Sequence, residues 1–256
     1  DMPLPSVHPE EADAKTTFQK LDRIWAHNNP GGFEVEAMTE EDRRTVYAAY
    51  MAMVSLIDNQ VGEILDVLEE TGQADNTLVV FMSDHGEMLG DHGIYFKGPH
   101  FYDCQMRVPL IIRWPRGGIL ENRKVNGFIE LVDLMPTFLE AAGLDIPSSV
   151  QGKSLLPLLQ GGDEEEYCRN QVYAEYYNAW THKEAYGTML RSKDWKIVVY
   201  HGTNQGEFYN LKEDPEEFFN LWNQPVFERE KQQYILKCFD ASVLSMDPDP
   251  PRLGSF

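Results

Sequence analysis

The sequence predicts an α/β chain that carries a smaller antiparallel β subdomain and a closing helix at its C-terminal end. Three observations predict it. From Thr39 to about Thr71, apolar residues recur at helical spacing. NTLVVFMS (76–83) and VPLIIRW (108–114) are short continuous apolar runs bounded by turn formers. Beyond GGDEEE (161–166) the chain breaks into short alternating stretches separated by polar or glycine-bearing turns. Helix followed by buried strand is the pattern of an α/β domain, and the alternation is that of a meander. The boundary falls near residue 165, giving a main unit 1–165 and a subdomain 166–256.

The opening, DMPLPSVHPEE, has three prolines in nine residues and no start methionine, so it predicts an extended segment with no first element, entered from the interior of a longer protein. Thr39 is placed to cap the long helix and Gly72 to stop it. Val46, Tyr50, Met53, Ile57, Val61, Ile64 or Leu65, and Leu68 lie along its apolar stripe. The 76–83 run has the β-branched content of a strand buried on both faces, and the 108–114 run repeats the pattern before a Pro-Arg-Gly-Gly turn. FIELVDLMPTFLEAAGL predicts a strand entering a helix capped by Asp133 and ended at Gly143. VYAEYY, GTMLRS, WKIVVYH and GEFYNL are the strands of the meander. A helix from about Val226 to Val243, with Phe227, Tyr234, Cys238 and Ala241 on one face, closes it. The tail DPDPPRLGSF cannot continue that helix.

Composition narrows the function classes. With 42 Asp and Glu against 22 Lys and Arg the formal charge is −20, and no basic stripe offsets it, so nucleic acid and anionic membrane surfaces are not expected partners. Cys104, Cys168 and Cys238 lie far apart without CxxC spacing, which suggests neither a zinc knuckle nor a disulfide framework. No apolar run approaches the roughly 20 residues of a membrane span, and the first residues lack a secretory profile; a signal could precede residue 1, so cytoplasm, periplasm and secretion all stay open.

The chemistry concentrates in MSDHGEMLGDHGIYFKG (82–98). Asp84 and His85 emerge at the carboxyl end of a strand, where open α/β sheets hold ligands, and Gly86 permits the turn that would aim both side chains at one ion. A carboxylate with a neutral imidazole suits a divalent cation, although two ligands leave most of about six positions to other residues. An isolated Asp-His pair is more often a helix cap beside a packed histidine, here a cap on a helix beginning near Glu87. Lys97 changes the weighting: thirteen residues beyond Asp84, its ammonium can hold a sulfate or phosphate oxygen and balance charge in a transition state. Asp91 and His92 read as structural or orienting residues of the loop. His100 is a candidate to donate a proton to a leaving oxygen or to touch a substrate anion, with an ordinary loop histidine as the alternative. His8, His27, His182 and His201 read as surface or packing residues.

NTLVVFMSDHGEMLGDHG, followed by KG and then RVPLIIRWP, resembles the latter half of the catalytic domain of the sulfatase family, within the alkaline phosphatase superfamily. AAYMAMVSLIDNQVGEIL, LVDLMPTFLEAAGL, QGKSLLPLL and GEFYNLKEDPEEFFNLW are similar to further family segments, so the resemblance covers most of residues 39–222. It implies an alkaline-phosphatase-like mixed sheet flanked by helices. It also implies that Asp84 and His85 belong to a metal-binding set and that Lys97 contacts the substrate's anionic group. The metal implied is Ca²⁺ foremost, with Mn²⁺ or Mg²⁺ as alternatives; a histidine after the aspartate, where many relatives have asparagine, tilts the site towards Mn²⁺.

Two features of the family are missing from these residues. The family's Cys/Ser-x-Pro-x-Arg motif, whose first residue becomes formylglycine, is absent: Cys104 begins Cys-Gln-Met-Arg, Cys168 Cys-Arg-Asn-Gln and Cys238 Cys-Phe-Asp-Ala. The paired N-terminal aspartates of the family have no counterpart before residue 39. The resemblance therefore implies the C-terminal portion of a sulfuric ester hydrolase, with the nucleophile and remaining ligands in an N-terminal half outside these residues. The portion alone is expected to be inactive and to expose apolar surface that favours association. Small-molecule or sugar sulfate esters are the implied substrates. A phosphonate monoester or phosphodiester hydrolase portion, and a noncatalytic relative, are the other readings. The aromatics of VYAEYYNAWTHKEAYG could stack on a sugar ring, but aromatics in a meander more often pack.

Overall fold

The computed structural model describes residues 3–5, 7–26, 33–177, 182 and 184–246. His27 and the 247–256 tail lie outside the described residues, as does most of the loop around His182. The opening is not simply extended: it holds two helices, α1 (Glu11–Ala14) and α2 (Thr17–Ile24). Thr16 and Gln19 form a capping box at the start of α2, with the Thr16 amide donating to Gln19 Oε1 at 2.8 Å. Hydrophobic periodicity misses these helices because their buried faces are polar, carrying Glu11, Gln19 and Asp22.

The long helix α3 (Glu40–Glu70) follows the sequence reading at both ends. Asp42 and Thr39 exchange the two bonds of a capping box, and Gly72 takes φ +69° just past the end. Of its stripe, Val46 packs against the small core of Ala26, Val35 and Tyr95, but no residue of α3 is buried and Ile64 is 62% exposed. A helix this apolar around most of its surface is normally covered. Strand β1 (Val79–Met82) shows the same openness. It was expected to be buried on both faces, yet it is half-exposed, and its one partner among the described residues is the next strand, which follows the short helix α4 (Asp103–Met106). Strand β2 (Leu110–Arg113) runs antiparallel to it from Val79↔Arg113 to Met82↔Leu110, with Ile111 63% exposed. Two strands leave every strand an edge and both faces open.

FIELVDL forms no strand. Phe128 makes a single bridge to Arg169, and a 3₁₀ turn (Leu131–Asp133) leads into α5 (Leu134–Ala141), which ends at Gly143 with φ +70°. Asp133 does not cap α5, because its carboxylate is buried and already committed. It pairs with the Arg169 guanidinium through both oxygens, one at 2.6 Å, and accepts the Glu130 and Lys153 amides at 2.8 Å each. A forked ion pair with two amides outweighs one exposed capping bond. Helices α6 (Leu156–Leu159) and α7 (Glu164–Tyr167, capped by Asp163) lead into the subdomain.

The meander is formed as the alternation predicts: β3 (Gln171–Tyr177), β4 (Tyr186–Ser192), β5 (Trp195–Tyr200) and β6 (Gln205–Asn210) pair antiparallel in sequence order. Helix α8 (Glu228–Leu244) covers one face, where Leu190, Ile197, Phe208 and Cys238 form a core joined by Trp195 and Tyr234. The other face meets the loops after β1. Met88, Ile94 and Tyr102 pack with Tyr209 and Leu211, and Phe101 packs with Met189, Val198 and Tyr200. The subdomain is thus the wall against which the segment from Asp84 to Phe101 is moulded. Among the described residues no helix is long and apolar enough to cross a membrane.

Candidate functional site

The chain leaves β1 at Ser83 and turns at Gly86, where the backbone is pressed against the α4 segment. The Gly86 amide donates to the Gln105 carbonyl at 2.7 Å, and a Cβ here would lie 2.0 Å from the Cys104 carbonyl oxygen. This turn brings the first two candidates together. Asp84 Oδ2 lies 3.6 Å from His85 Nε2, while Asp84 Oδ1 accepts the His85 amide at 3.0 Å. No helix begins at Glu87, so Asp84 is not a helix cap.

His85 Nδ1 lies 2.8 Å from the Gly86 carbonyl oxygen, which can only accept, so Nδ1 carries the proton and Nε2 presents a bare lone pair. That lone pair meets the Lys97 ammonium at 2.7 Å. A carbonyl that fixes the tautomer is the support a metal-ligating histidine needs. Asp84 Oδ2 and His85 Nε2 are spaced to be neighbouring ligands of one ion at roughly 2.0–2.6 Å. The residues therefore fit a cation as part of a donor set. Among the described residues no third His, Cys, Asp or Glu completes it.

The loop between Asp84 and Lys97 is strained. Leu89, His92 and Phe96 have φ of 44°, 55° and 66°, alongside Gly90 and Gly93; left-handed non-glycine residues cost about 1–2 kcal/mol each. Burial and a polar network hold it. Met88 and Ile94 are fully buried, and His92 stacks on Tyr102 with ring centroids 3.7 Å apart. Glu11 Oε2 accepts from His92 Nδ1 at 2.8 Å and from Lys15 at 2.7 Å, and Lys15 donates to the Tyr102 hydroxyl at 2.6 Å. Burial raises the Glu11 carboxyl, but the bonds from His92 and Lys15 outweigh it and leave its pKa lowered. Burial pushes the Lys15 and His92 pKa values down. His92 is thus a loop-holding residue, and its partners, Glu11 on α1 and Lys15 just after it, carried no sequence signal.

His100 is not joined to this cluster. It is 1% exposed, and its Nε2 lies 2.8 Å from Asp22 Oδ2 on α2. The same oxygen receives His182 Nε2 at 2.8 Å. Burial raises the Asp22 carboxyl, but the bonds from His100 and His182 bring its pKa below the usual value. Sequence reasoning missed Asp22 and His182 because pairing across 78 and 160 residues leaves no local spacing.

The segment after His100 is pinned by a second buried cluster. Lys196 on β5 donates to the Phe101 carbonyl at 2.9 Å and to Asp103 Oδ1 at 2.6 Å, and it pairs closely with Glu217. Glu217 accepts the Asp103 amide at 2.7 Å from a backbone with φ +60°. Burial pushes the Glu217 carboxyl up to about 7, with Lys196 opposing and Asp103 adding to the rise. Between its ordinary value of 4.5 and about 7, the folded protein keeps a proton that the unfolded chain has released. This group's stabilisation is therefore present at low pH and lost as pH rises through about 7, by about 3 kcal/mol at most. Wild type should lose stability relative to Glu217→Gln between about pH 5 and pH 8, measured by urea unfolding. Parallel pH profiles for the two proteins would refute the assignment.

Two family profiles match this chain: the sulfatase profile over residues 10–144 and the C-terminal N-sulphoglucosamine sulphohydrolase profile over residues 90–239. The chain belongs to the sulfatase family. It is 31% identical over 248 residues to an N-acetylglucosamine-6-O-sulfatase of Bacteroides thetaiotaomicron, covering 94% of this chain and 43% of that protein. A phosphonate monoester hydrolase from Silicibacter pomeroyi superimposes with a TM-score of 0.84 at 27% identity, covering 96% of this chain and 51% of that one. A 2-O GAG sulfatase does so with a TM-score of 0.82 at 26% identity, covering 96% and 53%. The chain spans about half the length of the curated relatives it matches. Its alkaline-phosphatase-like α/β fold is shared with these two structures, and sulfatase chemistry generally uses a metal ion and formylglycine.

Proposed function

We propose that these residues are the later portion of a metal-dependent sulfatase that hydrolyses sulfate esters. Residues 1–165 then belong to the catalytic domain and 166–256 to its smaller subdomain. The observation that carries this reading is the convergence of Asp84, His85 and Lys97 at the end of β1, within 3.6 Å and 2.7 Å of the His85 Nε2 atom. Asp84 and His85 are proposed to hold a divalent cation, Ca²⁺ foremost and Mn²⁺ or Mg²⁺ as alternatives, with the remaining ligands and the formylglycine contributed from outside this chain. When bound, such an ion supplies Lewis acidity at the sulfate oxygens.

The chain's own residues then divide the work. Gly86 and the Gly86 carbonyl orient the His85 ring and keep its proton on Nδ1. Lys97, exposed at its head, releases His85 and turns its ammonium to an oxyanion of the substrate, stabilising charge that grows in the transition state. His100 is buried and engaged by Asp22, so no proton transfer is assigned to it. The apolar residues exposed on α3 and at Phe81 and Ile111 become surface that the rest of the enzyme covers. Sulfated sugars are the proposed substrate class, on the names of the glucosamine and GAG sulfatases that the chain resembles.

A phosphonate monoester hydrolase portion is the second reading, favoured by the superposition at TM-score 0.84. The full-length protein should hydrolyse an aryl sulfate with higher kcat/KM than a phosphonate monoester, while residues 1–256 alone turn over neither. Strong phosphonate preference would select the second reading. Inactivity of the full-length protein on both would favour a noncatalytic relative, and turnover by the isolated chain would overturn the division of the site.

A further inference from the structure

We infer that Asp22 is a positioning residue for Lys97, acting through His100 and the strap of residues 98–101. This rests on the reading of Lys97 given above. The strap is determined at nearly every backbone position. The Gly98 carbonyl accepts Gln105 Nε2 at 2.9 Å, the Pro99 carbonyl accepts the Tyr200 hydroxyl at 2.6 Å, and the Phe101 carbonyl accepts Lys196 at 2.9 Å. Two of these donors stand on β5, so the C-terminal meander holds one side of the strap. Asp22, on an N-terminal helix, holds the other through the His100 side chain.

The contact is close. A Cβ on Gly98 would lie 3.0 Å from His100 Nε2 and 3.3 Å from Asp22 Oδ2, so the residue next to Lys97 rests directly on the Asp22–His100 bond. Gly98 thus anchors the Lys97 backbone on its C-terminal side, and the lysine side chain carries its ammonium to His85. His100 is built as a peg. A carboxylate only accepts, so the Nε2 proton is committed to Asp22, and Nδ1 is buried with no partner among the described residues. Neither nitrogen is open to hand a proton to a substrate. His182 shares the carboxylate and ties in the connection between β3 and β4.

In Asp22→Asn the charge that holds both rings is lost, and the amide N–H opposes His182 Nε2 where it replaces Oδ1 and both ring N–H groups where it replaces Oδ2. Displacing a charged group by about 1 Å costs of the order of 10²-fold in rate. In the full-length enzyme acting on an aryl sulfate, Asp22→Asn should lower kcat by about 10–100-fold. In a Lys97→Ala background the same change should cost less than about threefold, because the group it positions is gone. Full multiplication of the two losses would overturn the inference. If Lys97→Ala alone leaves turnover intact, the fault lies in the reading of Lys97 itself. Should Asp22→Asn fail to melt cooperatively, His100 supplies the test. His100→Gln places an amide N–H near the Nε2 position and should keep turnover within about threefold, whereas His100→Ala should lose as much as Asp22→Asn. A His100→Gln enzyme as inactive as His100→Ala would show that an imidazole is required, which excludes the peg role.

Discussion

Replacing Lys97 by alanine in the full-length enzyme is expected to lower kcat for an aryl sulfate by about 10²–10³-fold with little change in thermal stability. The separation of the two effects follows from where Lys97 sits. Its side chain is exposed, its contact is with the part-exposed His85 ring, and truncation removes no packing from the cores beneath the loop. A positioned cation facing charge that develops on a sulfate oxygen acts mainly in the transition state, so the loss belongs in kcat more than in KM. Lys97→Arg keeps the charge but replaces a compact ammonium by a broader planar fork with different donor geometry, so it should recover only part of the rate. Metal content adds a second readout. On the proposed metal role of His85, Lys97 would compete with a cation for its lone pair, so Lys97→Ala should retain bound metal, whereas Asp84→Ala should lose it. Turnover of Lys97→Ala within threefold of wild type would remove Lys97 from the site.

The convergence of Asp84, His85 and Lys97 at this candidate site was legible in sequence because it is local. Asp84, His85 and Lys97 lie on one loop, the strand end before them is apolar and β-branched, and Gly86 marks the turn. The meander was legible for the same reason, since each strand pairs with its sequence neighbour and alternation reports one buried face. What escaped was non-local and polar. Helices α1 and α2 bury Glu11, Gln19 and Asp22, so hydrophobic periodicity has nothing to register, and the partners of these residues lie 78 to 160 residues away in the sequence for Asp22. Asp133 shows the same limit. Its position before an apolar helix predicts a cap, and only the folded chain reveals that Arg169 has claimed the carboxylate. The apolar stripe of α3 was read correctly as a stripe, but its burial depends on surface that these residues do not supply.

The largest stability effect is expected at Lys196, and Lys196→Met isolates it. Methionine matches the length and flexibility of the lysine stem, so the site between β5 and the Phe101–Asp103 segment stays filled and the cavity cost is small. What is lost is the one ammonium, among the described residues, that faces three acceptors: Asp103, Glu217 and the Phe101 carbonyl. Asp103 keeps the Arg191 guanidinium, bonded at 3.0 and 2.9 Å, so it stays paired. Glu217 keeps only the Asp103 amide, and with its counter-charge removed its carboxyl must remain protonated or stand as an uncompensated buried charge. Breaking a buried pair from one side costs about 3–5 kcal/mol. At roughly 2–4 °C per kcal/mol for a chain of this size, that is a fall of about 10 °C in Tm. The double variant Lys196→Met with Glu217→Gln should be more stable than the sum of the single losses by at least about 1 kcal/mol, because glutamine needs no counter-charge. Strict additivity, or a Lys196→Met protein within about 1 kcal/mol of wild type by urea unfolding, would show that the pair holds nothing. Because the Phe101 carbonyl belongs to the strap behind Lys97, the same variant should also turn over more slowly below its melting temperature, which ties the meander's stability to the geometry of the site.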